Sequence, residues 1–456
     1  MPGRLEFEFN LGRPAAARSA SERRQQPMRL LVMGDFSGRA AAERPALAAR
    51  PTHRVDLDNL DAVMKRLAPR LSLAAGELRF ERLEDFHPDA LYARLDLFQA
   101  LREARSKPPA AAGELLGSLL GKPAGAAAPR PAATPAAGIE AFIHGIVAPH
   151  IVQDNSAQAG AYLAAVDAAT AEQMRQLLHE PGFQALEAAW RGVQWLISSL
   201  ELDENLQLHL FDVSRDELLA DVVAAQGQLA QTGLHRALVD RWRNVPGGEG
   251  WSLLAGLYRF GPGDTDVGLL AALGMIASQV GAPFIADADP ALAGDDKVGL
   301  AGWQALRRSQ AAPWIGLAAP RVLLRLPYGK GVDPITAFAF EEFAGAPAHE
   351  SFLWGHPSLA VALLIGRAFT ARGWNFEPGD EREIGDLPAY TTTHDGEREL
   401  QACAESYLGE QAGQLLLEAG LMPLMSHRHR NAVTLMRFQS IAEPVAALAG
   451  LTPAGR

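Results

Sequence analysis

Two short stretches of the chain carry the glycine and lysine residues from which phosphate-binding loops are built. Residues 117–122 (GSLLGK) are one residue short of such a loop, and Pro123 stands where the magnesium-binding Ser or Thr belongs. No strand pattern precedes this stretch. Residues 327–331 (PYGKG) have a lone lysine in a predicted turn. We therefore predict no nucleotide site in either stretch and expect a surface loop at the second.

Two groups of side chains have the chemistry of metal ligands. His427 and His429 are two residues apart, so a strand would place both on one face. Arg428 and Arg430 flank them and disfavour a cation, so we expect a polar or interface-facing strand edge. Four neighbouring aspartates lack the glycine and the final glutamate of a calcium loop, which favours a solvated loop. These are Asp287, Asp289, Asp295 and Asp296.

The remaining nucleophile candidate is Cys403, the single cysteine of the chain. It has no histidine near it in sequence, and we expect it to be a small buried residue. A single cysteine excludes an intramolecular disulfide and fits a reducing compartment. The sequence also lacks a Gly-x-Ser-x-Gly elbow. We predict no catalytic residue, no metal and no cofactor, and a doubly wound α/β enzyme is the disfavoured alternative.

The 456-residue chain is acidic, with 42 Lys and Arg against 53 Asp and Glu and a formal net charge of -11. This balance disfavours binding to nucleic acid or to an anionic membrane, since both require a positive surface. Apolar runs are too short to span a bilayer. Leu5, Phe7 and Phe9 alternate with acidic residues, which is a strand pattern and not a signal peptide. We expect a soluble, cytoplasmic protein of two to four domains.

The clearest compositional break is at residues 106–138, where Ala, Pro and Gly dominate. Such a stretch buries too little surface to offset its ordering entropy, so we predict a flexible linker. Within it, residues 114–121 (ELLGSLLG) hold four leucines at the spacing of a short helix face. These are Leu115, Leu116, Leu119 and Leu120. Two interpretations stay open: a weakly ordered apolar patch, or a helix that docks in the groove of a partner.

Residues 1–105 have the pattern of a small α/β domain that carries an N-terminal strand arm. We predict a strand at residues 29–33, a helix at 60–67, a strand at 77–80 and a helix that starts near Pro88. The first helix buries Leu60, Val63, Met64 and Leu67, and the second buries Leu91, Leu95, Phe98 and Leu101. The arm, with its alternating Leu5, Phe7 and Phe9, has no obvious local partner strand.

Beyond the linker we predict a helical region at residues 139–200 and a larger α/β domain at 201–456. The first region is predicted to be helical at 139–151 and 159–200, and Pro181 opens its last helix. The predicted elements of the second are strands at 205–213, 251–260 and 283–286, helices at 266–280 and 357–372, and a hairpin at 387–401. Ser214 and Glu217 form a capping box. This alternation predicts an α/β fold with mixed, mostly parallel twisted sheets covered by helices.

Several longer strings resemble one known system. Residues 27–38 (PMRLLVMGDFSG), 55–73 (VDLDNLDAVMKRLAPRLSL) and 78–88 (LRFERLEDFHP) resemble the small sheath subunit of the bacterial type VI secretion system, the VipA/TssB family. Strings after the linker resemble the large sheath subunit, the VipB/TssC family. They are residues 183–196 (FQALEAAWRGVQWL), 320–329 (PRVLLRLPYG), 338–342 (FAFEE), 353–357 (LWGHP), 387–388 (LP) and 420–424 (GLMPL). The order implies a natural fusion of a small and a large subunit.

The resemblance marks ten residues as a structural family motif. They are Phe183, Glu187, Trp190, Arg191, Gly192, Pro327, Tyr328, Gly329, Trp354 and Gly355. It also implies a structural protein and not an enzyme. In this family the two subunits pair, and many copies pack in the cytoplasm as a contractile tube around an inner tube.

The implied partners are further copies or authentic sheath subunits, inner-tube or baseplate components, and a ClpV-type recycling ATPase. Strand exchange between neighbouring subunits gives Leu5, Phe7 and Phe9 a role at an interface. The four linker leucines stand in the place of the family's ATPase-docking helix. The alternative function is a non-contractile accessory, cap or baseplate-proximal adaptor built from sheath domains, because family large subunits continue further beyond the position of residues 420–424.

Overall fold

The computed structural model of the chain describes residues 26–73, 76–106, 158–243, 250–294, 300–345, 348–394, 397–400, 402–427 and 430–451. The fold divides into two compact units. The larger, here the sheet unit, comprises Met1–Leu67, Leu186–Arg325 and Leu353–Arg456, and the smaller, here the small unit, comprises Ala68–Ala185 and Leu326–Phe352. Each unit therefore takes residues from both sides of the predicted linker.

The strands are numbered in chain order. They are β1 Met28–Gly34, β2 His53–Val55, β3 Arg70–Leu73, β4 Gly76–Arg79, β5 Leu206–Asp212, β6 Leu253–Phe260, β7 Phe284–Ala288, β8 Ile315–Ala319, β9 Val322–Leu323, β10 Trp354–Gly355, β11 Glu383–Ile384, β12 Thr391–His394, β13 Glu397–Leu400, β14 Met422–Ser426 and β15 Val433–Leu435.

The α-helices of at least seven residues are numbered in the same way. They are α1 Leu60–Leu67, α2 Pro88–Arg94, α3 Asp96–Ser106, α4 Gln158–Leu178, α5 Pro181–Ser199, α6 Arg215–Ala224, α7 Asp264–Val280, α8 Ala301–Arg307, α9 Pro357–Arg372 and α10 Glu410–Glu418. A shorter helical run joins Gly233–His235, the π-helical Arg236–Asp240 and Arg241–Arg243.

A nine-stranded sheet forms the centre of the sheet unit, in the order β11-β15-β14-β8-β7-β6-β1-β5-β2. The six central strands, β14, β8, β7, β6, β1 and β5, pair in parallel. The outer strands β2, β15 and β11 pair antiparallel to their neighbours. Every residue of β1 is buried, as in a strand covered on both faces, which explains the apolar run at residues 30–33. This mixed, mostly parallel sheet with covering helices confirms the predicted fold class.

Helix α9 is buried on almost every side against this sheet, which is consistent with its apolar sequence. It begins with Pro357 at its first turn and ends at Gly373, whose positive φ is readily adopted by glycine. Two glycines allow close packing of its neighbours. A Cβ at Gly192 would overlap the side chain of Leu359, and a Cβ at Gly366 would overlap that of Leu200.

The small unit is organised around aromatic side chains. Phe80 and Phe86 stack with their ring centroids 4.1 Å apart, and Phe183 packs edge-on against both. These contacts join the β3–β4 hairpin region to the start of α5. A stacked pair of Tyr92 and Phe338, with centroids 4.5 Å apart, adds a second apolar contact. Offset and edge-on pairs of this kind each add about 0.5–1.5 kcal/mol beyond their area burial.

Several predicted elements have the bounds that the sequence indicates. Helix α9 covers the predicted residues, and α1 buries the four predicted side chains. The hairpin β12–β13 pairs His394 with Glu397 around the predicted turn. The helix predicted from Pro88 is instead two helices, because the backbone at Leu95 is extended. The predicted helical stretch at 159–200 forms α4 and α5, and α5 begins at Pro181 as predicted, whereas helix 139–151 lies outside the described residues.

Candidate functional site: the seam between two segments

Within each of the two units, described residues that precede the predicted linker contact described residues that follow it. We call residues 26–106 the front segment, residues 158–451 the rear segment, and the contacts between them the seam. In the sheet unit, β1 of the front segment lies between β5 and β6 of the rear segment. It pairs with β5 in parallel from Met28↔Leu206 to Gly34↔Asp212 and with β6 from Leu30↔Leu253 to Met33↔Gly256. Strand β2 also pairs with β5, so the front segment supplies two strands of a sheet that is otherwise built by the rear segment.

A buried ionic network holds the same seam at the carboxyl ends of β1 and β5. Arg44 contacts Asp35 and Glu217, each at 2.5 Å, and its side chain is 2% exposed. Arg50 binds Glu217 at 2.8 Å and donates to the backbone carbonyl of Asp212 at 2.7 Å. Both arginines belong to the front segment, and Asp212 and Glu217 belong to the rear segment. The network therefore links the loop between β1 and β2 to the end of β5 and to the first turn of α6.

The protonation of the network follows from its burial. Burial raises the pKa of Asp35 above its ordinary value, and the charge of Arg44 opposes this shift without cancelling it. Burial also raises the pKa of Glu217, but hydrogen bonds from Arg50 and the backbone of Ser214 and the charges of both arginines outweigh it, so the net shift is downward. Removal of one partner from such a buried network leaves an uncompensated charge, which is strongly destabilising.

The carboxylates of Asp212 and Glu217 also accept hydrogen bonds from backbone N–H groups at the carboxyl end of the sheet. The Oδ1 of Asp212 accepts hydrogen bonds from the N–H groups of Phe36 at 2.9 Å and Ser37 at 3.0 Å. Glu217 accepts from the N–H of Ser214 at 2.9 Å, and the Ser214 hydroxyl accepts from the N–H of Glu217, which confirms the predicted capping box. In doubly wound enzymes the crevice at the carboxyl ends of the strands binds the ligand, and backbone N–H groups there bind its phosphates. In this protein the carboxylates of Asp212 and Glu217 accept the hydrogen bonds of those N–H groups.

Helix α5, which contains five residues of the family motif, packs against the loop that follows β1. Trp190 is fully buried, and its indole N–H donates to the carbonyl of Phe36 at 2.9 Å. The two rings also pack edge-on with centroids 5.5 Å apart. On the same helix, Glu187 is fully buried and binds Arg191 at 2.6 Å and Arg325 at 3.0 Å. The motif therefore combines an apolar anchor with a compensated buried charge.

The small unit contains its own part of the seam. Asp89, in the first turn of α2, accepts hydrogen bonds from the hydroxyl of Thr336 at 2.7 Å and from the N–H of Ala337 at 2.9 Å. The Tyr162 hydroxyl donates to the carbonyl of Ala104 at 3.1 Å. The aromatic contacts of Phe80, Phe86 and Tyr92 described above also join front to rear residues. Both segments therefore contribute to the core of each unit.

The other motif residues have structural contacts in the rear segment. The N–H of Tyr328 donates to the buried carboxylate of Glu342 at 2.8 Å, and Gly329, two residues after Pro327, bridges to Asp333. Trp354 and Gly355 form β10, which pairs with β9. These motif residues therefore have structural contacts within their own units.

The residues considered for chemistry have ordinary structural partners where the structure describes them. The prediction of a solvated loop is wrong for Asp287, which is buried within β7 and contacts His356 at 2.5 Å. Asp289 caps the turn after β7. The imidazole of His427 contacts the hydroxyl of Thr434 at 2.8 Å. Cys403 is buried, as predicted, and burial raises the pKa of its thiol.

Other sequence predictions concern residues outside the described ranges. These are the phosphate-loop-like residues 117–122, the arm residues Leu5, Phe7 and Phe9, the leucines Leu115, Leu116, Leu119 and Leu120, and Asp295, Asp296 and His429. Among the described residues, no group of three or more His, Cys, Asp or Glu side chains could hold a metal ion. Within the same residues, no helix is long and apolar enough to cross a membrane.

Sequence reasoning missed Arg44 and Arg50, which belong to a stretch with little periodicity. Their partner Glu217 is 173 and 167 residues away in sequence, and no local spacing connects them. The capping box is the one local signal for them, because a carboxylate such as Glu217 that is buried near the end of a sheet requires a cationic partner.

Comparison with known proteins explains why two distinct segments share one fold. Residues 160–442 match the VipB family described as EvpB/VC_A0108, tail sheath N-terminal domain. The chain belongs to this tail-sheath family. Residues 13–119 match a second family, described as type VI secretion system, VipA, VC_A0107 or Hcp2. The chain is thus a fusion of small-subunit and large-subunit sheath segments, and the seam is the contact between the VipA part and the VipB part.

Two curated relatives agree with this division of the fusion. The type VI secretion system sheath protein TssC1 of Pseudomonas aeruginosa PAO1 is 32% identical over 305 residues, which cover 62% of this chain and 61% of the relative. The sheath protein TssB1 of the same organism is 32% identical over 99 residues, which cover 19% of this chain and 58% of the relative. The fusion therefore spans about three fifths of the length of each sheath protein that it matches.

Proposed function

We propose that the protein is a structural component of a type VI secretion contractile sheath, in which the small and large sheath partners are joined as one prepaired protomer. The observation that carries this proposal is the position of β1. A VipA-type strand lies inside a VipB-type sheet, with backbone pairing on both of its sides. The pairing of two sheath subunits is therefore internal to this chain.

Fusion has a direct physical consequence for such a pair. It converts association of two chains into an intramolecular step, with an effective concentration on the order of millimolar for short flexible linkers and lower for longer ones. It also fixes the ratio of the two parts at one to one. Both effects suit a lattice built from many identical pairs.

The proposed partners are further copies of the chain or authentic sheath subunits, together with an inner tube or baseplate components in the bacterial cytoplasm. Leu5, Phe7 and Phe9 would add as a strand to a neighbouring protomer, since an alternating arm can supply backbone bonds and register. Deletion of residues 1–10 should then weaken self-association in analytical ultracentrifugation and leave the melting temperature unchanged. A loss of stability without a loss of association would contradict this role.

Leu115, Leu116, Leu119 and Leu120 would dock in the recycling ATPase. A synthetic peptide of residues 110–124 should bind the N-terminal domain of that ATPase in fluorescence anisotropy, and a peptide with the four leucines changed to serine is the matched control. Equal signals from the two peptides would exclude docking through these leucines.

Electron microscopy tests the main proposal. The purified chain is examined by negative stain alone and after mixing with authentic small and large sheath subunits. We expect sheath-like tubes that contain the chain in at least one of the two conditions. A chain that remains outside the tubes in both, but binds baseplate components in a pull-down, would favour the non-contractile adaptor instead.

The prepaired protomer has a separate test. A protease site is inserted between Ala124 and Gly125, and the cleaved protein is passed over a size-exclusion column. We expect the two fragments to elute together, because both units contain parts of each segment. Fragments that separate while each retains its secondary structure would overturn the prepaired protomer.

A further inference from the structure

A cleft of about 770 Å³ opens in the sheet unit at the amino ends of β1 and β5. Its walls are the residues that begin β1, the turn before β5 and the last turn of α9. Its lining includes Gln26, Glu201, Asp203, Arg372 and Trp374. This end of the sheet is opposite to the ionic network of the seam, since both strands run from the cleft to the network.

The electrostatics of the cleft favour a cationic occupant. Glu201 and Asp203 are both exposed there. Hydrogen bonds from the N–H groups of Leu206 and Asn205 hold the pKa of Asp203 below its ordinary value, so it is ionised at neutral pH. The carboxyl end of α9 adds the negative end of a helix dipole. Two arginines offset part of this negative charge. The guanidinium of Arg372 lies 3.5 Å from Asp380, and Arg54 donates to the carbonyl of Asp203 at 2.8 Å.

The chain itself places two arginines beside this cleft. The indole N–H of Trp374 donates to the carbonyl of Gln26 at 2.7 Å, which fixes the point where the N-terminal arm joins the fold. Arg23 and Arg24 precede Gln26 by three and two residues. An extended chain spans at most about 3.6 Å per residue, so covalent continuity limits the Cα atoms of both arginines to at most about 11 Å from the Cα atom of Gln26. Covalent continuity and charge therefore indicate the same occupant.

We propose that the cleft binds the root of the chain's own N-terminal arm, with Arg23 and Arg24 placed against Glu201 and the carboxyl end of α9. The arm then leaves the fold in a defined direction and does not swing freely about Gln26. Where the arm reaches a neighbouring protomer, this ordering lowers the entropy that binding must overcome. That last consequence rests on the proposed sheath function, whereas the docking itself does not.

Limited trypsin digestion of the full chain tests the docking. Trypsin can cut after Arg18 and after Arg24, and intact-mass spectrometry measures the ratio of the two cuts. Docking should protect the site at Arg24 relative to the site at Arg18. Glu201→Gln, which adds no new trypsin site, should raise the Arg24 to Arg18 ratio by about threefold, the size expected for the loss of one exposed ion pair. Added salt at about 0.5 M should raise the ratio in the wild type, because screening weakens the pairing.

The matched control is Glu103→Gln, which makes the same charge change at an exposed glutamate of the small unit. It should leave the ratio at the wild-type value. An unchanged ratio in Glu201→Gln, or an equal rise in both variants, would overturn the proposal. Protection that increases with protein concentration would assign the cleft to the arm of a second copy and would also overturn it. These results are independent of whether the chain enters a sheath.

Discussion

The indole N–H of Trp190 donates a 2.9 Å hydrogen bond to the backbone carbonyl of Phe36, across 154 residues of sequence. Trp190 belongs to the VipB part and Phe36 to the VipA part, and both side chains are fully buried. Phe36 follows β1 in the loop whose N–H groups bind Asp212. One residue of the family motif thus fixes the conformation of the loop that closes the seam.

Substitution of Trp190 tests this relationship. Trp190→Phe retains most of the apolar contact but removes the donor to a buried carbonyl, and we expect a loss of about 1–3 kcal/mol in the free energy of unfolding. Trp190→Ala also leaves a cavity and should cost about 3–5 kcal/mol. Urea denaturation followed by circular dichroism measures both. Trp195→Phe, at a half-buried position of the same helix, is the control and should cost less than Trp190→Phe; the reverse order would contradict the anchor role.

Elements with strong local signals were predictable from the sequence. Helix α9 has proline in its first turn, glycine after its last residue and mostly apolar residues between them. The proline and the glycine mark its two ends without any help from a helical spacing of apolar residues. Strand β5 leads directly into the Ser214–Glu217 capping box, which sets the start of α6. In both cases the deciding interactions are made within a few residues of each other in the sequence.

The arrangement of strands was less predictable because it depends on distant partners. The sheet unit places β1 beside β5 and β6, which are separated from it by more than 170 residues, and no local pattern selects those neighbours. Strand β14 contains Pro423 and was not predicted, since proline usually argues against a strand inside a sheet. The break at Leu95 between α2 and α3 likewise carries no glycine or proline signal.

The buried ionic network gives a second prediction. Arg50→Ala leaves Glu217 with reduced compensation in a buried site and also removes a donor from the carbonyl of Asp212. We expect a loss of about 3–5 kcal/mol in the free energy of unfolding. Arg308→Ala is the matched control, since Arg308 pairs with Glu443 at an exposed site. It should leave the urea midpoint unchanged, and equal effects of the two substitutions would show that the network does not stabilise the seam.

The glycine of the family motif gives a third prediction. A Cβ at Gly192 would overlap Leu359, which is fully buried on α9 and has little room to move. Gly192→Ala should therefore destabilise the protein by about 1–2 kcal/mol, because overpacking outweighs the gain in helix propensity. Gly160→Ala on α4 is the control, since a Cβ there meets no atom within 4 Å. That change should be neutral or stabilising by up to about 1 kcal/mol. Thermal unfolding of both variants distinguishes them, and a stabilised Gly192→Ala would exclude tight packing of α5 on α9.

The last prediction concerns pH. Burial, reinforced by the charges of Arg29 and Arg54, lowers the pKa of His209 to about 3. An unfolded histidine titrates near about pH 6.5, so between these values the unfolded chain binds a proton that the folded chain does not. The stabilising contribution is thus complete above that pH and is lost on acidification, by up to about 1.4 kcal/mol per pH unit. Wild type and His209→Gln are compared by urea denaturation between pH 7 and 5, where few carboxylates titrate. His53 and His235, whose pKa values burial also lowers, are present in both proteins and cancel in the difference. The variant should show the shallower loss of stability on acidification, and parallel curves would mean that His209 accepts its proton in the folded protein.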